Sequence, residues 1–405
     1  MPAPQPSSRA IREHNLQLVL RALGRDEARS RAELAAATGL SKPTVGGALR
    51  VFAQAGLVRE IGRTTGRRGP SATLYQRVPD AALVLGVDVG ARYVRAVLAD
   101  LDGAPVDEHT VRLERPHADA VVAAAETVRA RIADRLARTE LAVVGTPGVV
   151  DPHSGRVGAA PNIEGWEGVM AERVLSRALG LPALIENDVN LAALGERAHG
   201  GGRGVDSFAY LAIGSGLGAG IVLHGQLHRG ARGAAGEVGF LPIGEDPFAG
   251  TRPAGKGAME RRLSSAGLVA LAEDLAATTP SEMTPPFQVD ELFDAARHGD
   301  PLGRAVVARA AREIAVCVAG ISAVVDLELV LLGGGIGDND DLLLPDVRAA
   351  IGELLPLPPR VERAALAARA VTTGAVAVGC DRARQALVGR LVDGEGTAGD
   401  GSAAD

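Results

Sequence analysis

The stretch ALVLGVDVGARYVRAVLADLDG, residues 82–103, reads as a strand, a glycine turn, a second strand and a polar turn. The same grammar returns in FAYLAIGSGLGAGIVLHGQLHRG, residues 208–230. This is a weak internal repeat of hairpins whose first turn is glycine-rich. Between the two copies lie the helical segment 118–137 and a strand in LAVVGTPGVV, residues 141–150. Another strand and glycine turn follows in LELVLLGGGIGDND, residues 327–340. Alternating strands and helices predict an α/β body. Two similar lobes with glycine turns facing a cleft would suit a nucleotide, although each turn alone equally suits a tight bend.

The 405 residues allow two or three domains. Aromatics make up only 2%, so Ala, Val, Leu and Ile must fill the core. Cys317 and Cys380 lie far apart in apolar contexts and read as buried thiols, which excludes a disulfide framework or a cysteine-rich metal site. No apolar run approaches the roughly 20 residues of a membrane span, and the N-terminus lacks a secretory apolar region. The expectation is a cytoplasmic protein with no membrane partner. Residues 1–9 and 393–405 are small, polar and Pro/Gly-rich, and are expected to be disordered.

Charge is placed unevenly. Residues 1–80 carry 13 Lys and Arg against 6 Asp and Glu, a net of +7, whereas the remainder is at −13. A basic head on an acidic body implies a polyanion partner for the head alone. Within residues 10–80, Ile11, Leu16, Val19, Leu20 and Leu23 recur at helical spacing up to Gly24. A second helix starts near Arg31, TGL (38–40) turns the chain, Ser41 caps a third helix, and Pro43 fits its first turn. Val45, Leu49 and Phe52 give that third helix one buried face. This is helix–turn–helix spacing, with the third helix placed to enter a major groove. GLVREIG and TLYQRV then predict a wing hairpin with Arg63, Arg67 and Arg68 near its tip, placed for phosphates or a narrow minor groove. Gly46 and Gly47 stand where larger side chains would read bases, and each costs roughly 1 kcal/mol of helix stability relative to Ala. DNA contacts are therefore assigned to Lys42, Thr44, Arg50 and the wing, with shape readout carrying more than base readout. The competing reading is a helical interaction domain that never touches DNA.

A winged head followed in order by GVDVG, GTPGVVDPHSG, APNIEGW, IENDVNLAALGE, GSGLGAGI, GAAGEVG and LLGGGIG resembles the ROK family of sugar-dependent repressors and sugar kinases. The resemblance covers about residues 10–385. It implies an actin-like, hexokinase-like two-lobe domain over 81–392. Lobe 1 would take about 81–198 plus a C-terminal helix at about 374–392, and lobe 2 about 199–373. It also implies that a kinase body serves as ligand sensor for a DNA-binding head.

In family kinases the carboxylate matching Asp188 takes the proton of the attacking sugar hydroxyl. Phosphoryl transfer also needs Mg²⁺ and phosphate-cradling loops. Asp188 equally reads as an N-cap for VNLAALGE, and as a sugar ligand that catalyses nothing. The first phosphate loop departs from the family's D-x-G-G-T-K: Asp88 and Gly90 are followed by Ala91 and Arg92, whose side chains obstruct a triphosphate. The second loop, with Gly214, Gly216 and Gly218, and the later turn at Gly334 are retained and read as vestigial nucleotide loops. ATP use is therefore not expected, nor is enzymatic activity. By resemblance, Asn162, Asn187, Asp188, Glu237 and Glu260 match positions that hydrogen-bond sugar hydroxyls; the bland alternative is ordinary loop polarity. The family's zinc site combines one His and three Cys. Here those positions hold Phe240, Thr251, Pro253 and Ala258, so no zinc and no other cofactor is expected. Phe240 offers a flat apolar surface where relatives have a sugar-contacting His. The loop 244–258 is expected to be mobile. Trp166 suits either the cleft or the core.

The resulting expectation is a regulator of carbohydrate genes, most simply a repressor. It would bind double-stranded operator DNA as a homodimer or tetramer and respond to a sugar or sugar phosphate. The alternatives are an active sugar kinase with an appended head, and a regulator that has lost its sugar.

Overall fold

A computed structural model describes residues 7–24, 27–63, 71–244 and 257–399. The head consists of α1 (Ser8–Ala22), β1 (Arg29–Ser30), α2 (Arg31–Thr38), α3 (Lys42–Gln54), β2 (Val58–Arg63) and β3 (Thr73–Arg77). Its helix boundaries are written locally. Ser7 caps α1, and Ser30 and Glu33 close a reciprocal capping box on α2. Ser41 Oγ accepts the Thr44 N–H at the start of α3. The expected two-stranded wing is three-stranded, in the order β1-β3-β2.

The body holds two five-stranded sheets of the same design. The first contains β4 (Leu83–Val89), β5 (Tyr93–Asp100), β6 (Pro105–Arg112), β7 (Thr139–Thr146) and β10 (Ala183–Asn187). Its order is β6-β5-β4-β7-β10: an antiparallel meander, then two strands parallel to β4. A short pair, β8 (Val149–Val150) and β9 (Val157–Gly158), follows β7. The second sheet contains β11 (Phe208–Ile213), β12 (Leu217–Leu223), β13 (Gln226–Leu227), β14 (Leu329–Gly333) and β15 (Arg360–Arg363). Its order, β13-β12-β11-β14-β15, repeats the first sheet strand for strand. The hairpin repeat in the sequence is thus the visible part of a duplicated lobe. The interior strands β4 and β14 are buried at every residue, as expected where helices cover both faces.

Helices complete the layers. Lobe 1 carries α4 (Ala118–Arg131), α5 (Ala171–Leu179) and α6 (Asp188–His199). Lobe 2 carries α7 (Glu260–Leu263), α8 (Ser265–Ala276), α9 (Val289–Arg297), α10 (Pro301–Val325), α11 (Gly334–Gly337) and α12 (Asp340–Leu354). The last helix, α13 (Ala370–Gly399), returns to lobe 1. Its Ala375, Val376, Cys380 and Ala383 join a core with Leu191 of α6 and with β4 and β7. Its Val388 and Val392 join a different core, that of the head, with Leu16, Val19 and Leu20 of α1. Fully burying each valine is worth roughly 1.5–3 kcal/mol, so the head is seated on the body by its own core residues. No helix among the described residues is long and apolar enough to cross a membrane.

The inner parts of both ends expected to be disordered, residues 7–9 and 393–399, need correction. Helix α1 already begins at Ser8, because Ser7 Oγ accepts the Ala10 N–H. Helix α13 starts before residue 374 and continues through the Gly-rich 393–399. Val392 is anchored in the head core and Asp393 pairs with Arg9 of α1 at 2.6 Å. Residues 1–6, 245–256 and 400–405, on which the remaining expectations of disorder or mobility fall, lie outside the described residues.

Candidate DNA-binding head and sugar cleft

In the head, Lys42 and Arg50 are exposed on α3, and Arg63 is exposed at the end of β2. Thr44 is half-buried and its hydroxyl lies 2.8 Å from Ser41 Oγ, so it belongs to the helix cap as well as to the candidate surface. Arg67 and Arg68 lie outside the described residues.

The cleft is built where β4, β10 and α6 of lobe 1 face the β11–β12 hairpin and α7 of lobe 2. Strand β10 ends at Asn187, and α6 starts at Asp188. The cap of α6 is Asn187, not Asp188: Asn187 Oδ1 accepts the Asn190 N–H at 3.0 Å. Its Nδ2 donates to Gly148 O and to Asp188 Oδ1. Asn187 therefore positions Asp188, with most of its amide already committed. Asp188 is half-buried in the first turn. Burial pushes its carboxyl up to about 7, the charge of Asp88 adds to this, and Glu237 contributes last. Asp88, at the end of β4, is raised by burial against the opposing pull of Arg95, whose Nη1 donates to it at 3.1 Å. Glu237 is raised by burial and by Glu260.

Asn162 and Glu260 both approach Gly216 of the second glycine loop. Asn162 Nδ2 and Glu260 Oε1 lie 3.9 and 3.7 Å from where a Cβ on Gly216 would stand. Glu260 Oε2 is 3.3 Å from the same point on Gly239. Asp188, Glu237 and Glu260 are thus electrostatically linked in one cleft with Asn162 at its edge. Phe240, 54% exposed, closes the 3₁₀ turn that follows Glu237. Such a set of carboxylates, an amide and an aromatic face can hold a polyhydroxylated ring.

The glycine turns sit at strand ends as expected. Gly90 N donates to Tyr93 O in the first loop, with Arg92 exposed beside it. Gly214 O accepts the Ser265 N–H, Gly218 faces Val189 of α6, and Gly334 opens α11. Ala258 is buried and, like Phe240, offers no metal-ligand atom; Thr251 and Pro253 lie outside the described residues. Of the two readings for Trp166, the structure selects the core: it is fully buried and donates to Thr146 Oγ1 at 2.7 Å.

Three groups escaped the sequence. Arg95 lies opposite Asp88 in the β4–β5 register, which the turn length alone would have revealed. Arg229 of lobe 2 pairs with Glu186 of β10 at 2.6 Å, linking the lobes beside Asp188. Glu196, at the end of the IENDVNLAALGE motif, is wholly buried and ties both chain crossings between the lobes: Oε2 accepts from Gly201 and Ala365, Oε1 from Leu366.

A winged helix–turn–helix seated on a duplicated, two-lobe kinase-like body defines a class of regulator built on a sugar-kinase scaffold. The chain belongs to the ROK family, whose model matches residues 84–382. A MarR family model matches residues 18–69 of the head. The chain is 26% identical over 384 residues to the xylose repressor of Caldicellulosiruptor bescii, covering 91% of this chain and 96% of that one. Matches to two further repressor relatives span only 59% and 61% of their lengths. It is 31% identical over 279 residues to the glucokinase of Streptomyces coelicolor, covering 66% of this chain and 86% of that one. A crystal structure of a ROK family transcriptional regulator, a homolog of E. coli MLC protein, superposes with a TM-score of 0.79 at 24% identity, covering 94% and 99% of the two chains. That likeness establishes the shared fold of head and body.

Proposed function

We propose that this protein is a DNA-binding repressor of carbohydrate genes, controlled by a sugar or sugar phosphate, with no kinase turnover and no zinc or nucleotide cofactor. The observation that carries this reading is α13, which packs on α6 behind Asp188 and ends inside the core of the head. A ligand held by Asn162, Asp188, Glu237 and Glu260, with Phe240 against its ring, would draw the lobes together and move α6. Helix α13 would pass that displacement to the head. The ligand acts only through its differential affinity for the two arrangements. Two heads, in a homodimer or tetramer, would then leave the half-site spacing that operator DNA requires. The repressor relative matched along 96% of its length supports the direction of control. Against ATP stand Arg92 at the first loop and the Arg95–Asp88 pair, which engages the carboxylate beside it.

The test is fluorescence anisotropy on DNA from upstream of the chain's own gene, at fixed salt, across a panel of sugars and sugar phosphates. Release by one compound supports the proposal. Tight binding that no compound moves would replace it with a regulator that has lost its sugar. The kinase alternative draws on the burial of Asp188 beside Asp88, which pushes its carboxyl up to about 7, a range that suits a general base. A coupled ATPase assay with the same panel decides that point.

A further inference from the structure

Gly46 occupies the middle of the candidate recognition helix α3, where it weakens the helix by roughly 1 kcal/mol relative to Ala. It is nonetheless buried. Its cover is Arg31, the first residue of α2: Nε, Cζ and Nη1 lie 3.2, 3.3 and 3.4 Å from where a Cβ on Gly46 would stand. The missing side chain is the seat of a guanidinium. Arg31 is otherwise exposed, and no carboxylate pairs with it among the described residues. On the helical wheel Gly46 lies between Lys42 and Arg50, the exposed cations of α3, at the border of the buried face that Val45, Leu49 and Phe52 form. Bringing α2's exposed arginine onto this border sets a third cation beside Lys42 and Arg50.

We propose that Arg31, held by Gly46, is a phosphate-binding residue of the DNA interface, gripping the backbone at the edge of the groove that α3 enters. A guanidinium presents a fixed fork of donors that matches a phosphate, and resting it against bare helix backbone limits its freedom before DNA arrives. The glycine that removes a base-reading side chain from α3 therefore supplies a backbone contact instead. This fits a head that reads shape more than base edges. The proposal rests on the DNA-binding reading of the head.

The test uses the full-length protein with two fluorescent duplexes, one from upstream of its own gene and one of unrelated sequence, between about 50 and about 200 mM salt. Arg31→Ala is expected to weaken binding to both duplexes, roughly tenfold at the lower salt. It should also reduce the slope of log affinity against log salt by about 0.9 for each head engaged. Arg31→Lys should restore most of the slope, because slope counts charge. Gly46→Ala should hold or raise the melting temperature yet weaken binding, since the new methyl displaces only the flexible end of Arg31. An unchanged salt slope in Arg31→Ala, or affinity lost only in step with melting temperature, overturns the assignment and leaves Arg31 a packing residue. If the wild-type protein binds neither duplex, the DNA-binding reading itself fails and this proposal falls with it.

Discussion

Glu196 offers the sharpest test of how the lobes are joined. The chain crosses between lobes twice, after α6 and before α13, and one fully buried carboxylate binds both crossings. Gly201 N–H donates to it at 2.7 Å, Ala365 N–H at 3.1 Å and Leu366 N–H at 2.8 Å. Glu196→Ala leaves three backbone donors without their acceptor. Each buried donor left unpaired costs about 1–3 kcal/mol. Water entering the vacated space recovers part of this, so the expected net loss is about 3–5 kcal/mol, a large share of a typical domain's stability. Glu196→Gln is the informative control. It keeps the shape and one acceptor oxygen, which can serve Gly201 and Ala365 together, but then turns its NH₂ toward the N–H of Leu366. It should therefore recover part of the loss and not all of it, because one N–H stays unpaired against an NH₂. Urea unfolding followed by Trp166 fluorescence reports lobe 1 directly, because Trp166 lies in that lobe's core. Small-angle scattering of the folded variants reports the lobe angle. A loss below about 1 kcal/mol in Glu196→Ala, with unchanged scattering, would refute the claim that this carboxylate pins the hinge.

Three further outcomes follow from the same geometry. Asp188 holds its proton more tightly folded than unfolded, so its contribution to stability is present at low pH and lost as pH rises from about 4 to about 7, by up to about 1.4 kcal/mol per pH unit. Asp188→Asn should flatten that slope and stabilise the protein at about pH 8, read from urea midpoints on either side of neutrality. Gly374→Ala should destabilise by about 1–3 kcal/mol, because a methyl there runs into the Leu191 carbonyl where α13 crosses α6; a raised melting temperature would mean that helix propensity, not close approach, governs the site. Arg77, buried where β3 meets the body, pairs with Asp102 and donates to Leu20 O of α1, and burial draws its guanidinium down to about 10. Asp102→Ala should cost about 3–5 kcal/mol by leaving that charge uncompensated. It should also speed proteolysis between head and body; cleavage at the wild-type rate would show that the head is seated without this pair.

Which features the sequence disclosed depended on how locally they were encoded. The hairpin repeat was legible because each strand alternates or runs apolar up to a glycine turn within a few residues. The caps at Ser41 and Ser30 needed only a three-residue reach, and the second could have been read from Ser30 and Glu33 alone. Glu196 was opaque for the opposite reason: it ends an ordinary amphipathic helix, and its acceptor role depends on backbone 169 and 170 residues away. The cap falls on Asn187 where the sequence equally allows Asp188, because Asn and Asp are near-equal at that position. The choice was made by Gly148 O, which draws the Asn187 amide over the helix start.

The resemblance implies the C-terminal helix at about 374–392, but not the reach of α13 over Ala370–Gly399 nor its docking in the head core. A helix that packs on one surface announces itself by a single apolar stripe. This one packs on β4 and α6 along its first part and on α1 along its second, so taken over its whole length its apolar residues make no single strong stripe. Composition then made its glycine-rich end look like a tail. The same lack of pattern is what a coupling element requires. A helix with one apolar face could be held by the body or by the head, whereas one committed to both must move when either moves. The tight crossing at Gly374 and Leu191 makes the first half of α13 follow α6 closely. Val388 and Val392 carry the other end into the head. On this argument, variants that loosen only the distal end, such as Val392→Ala, should leave the ligand-induced shift in melting temperature intact and abolish the ligand's effect on DNA binding. Separation of those two readouts would place the coupling in α13; their loss together would place it elsewhere.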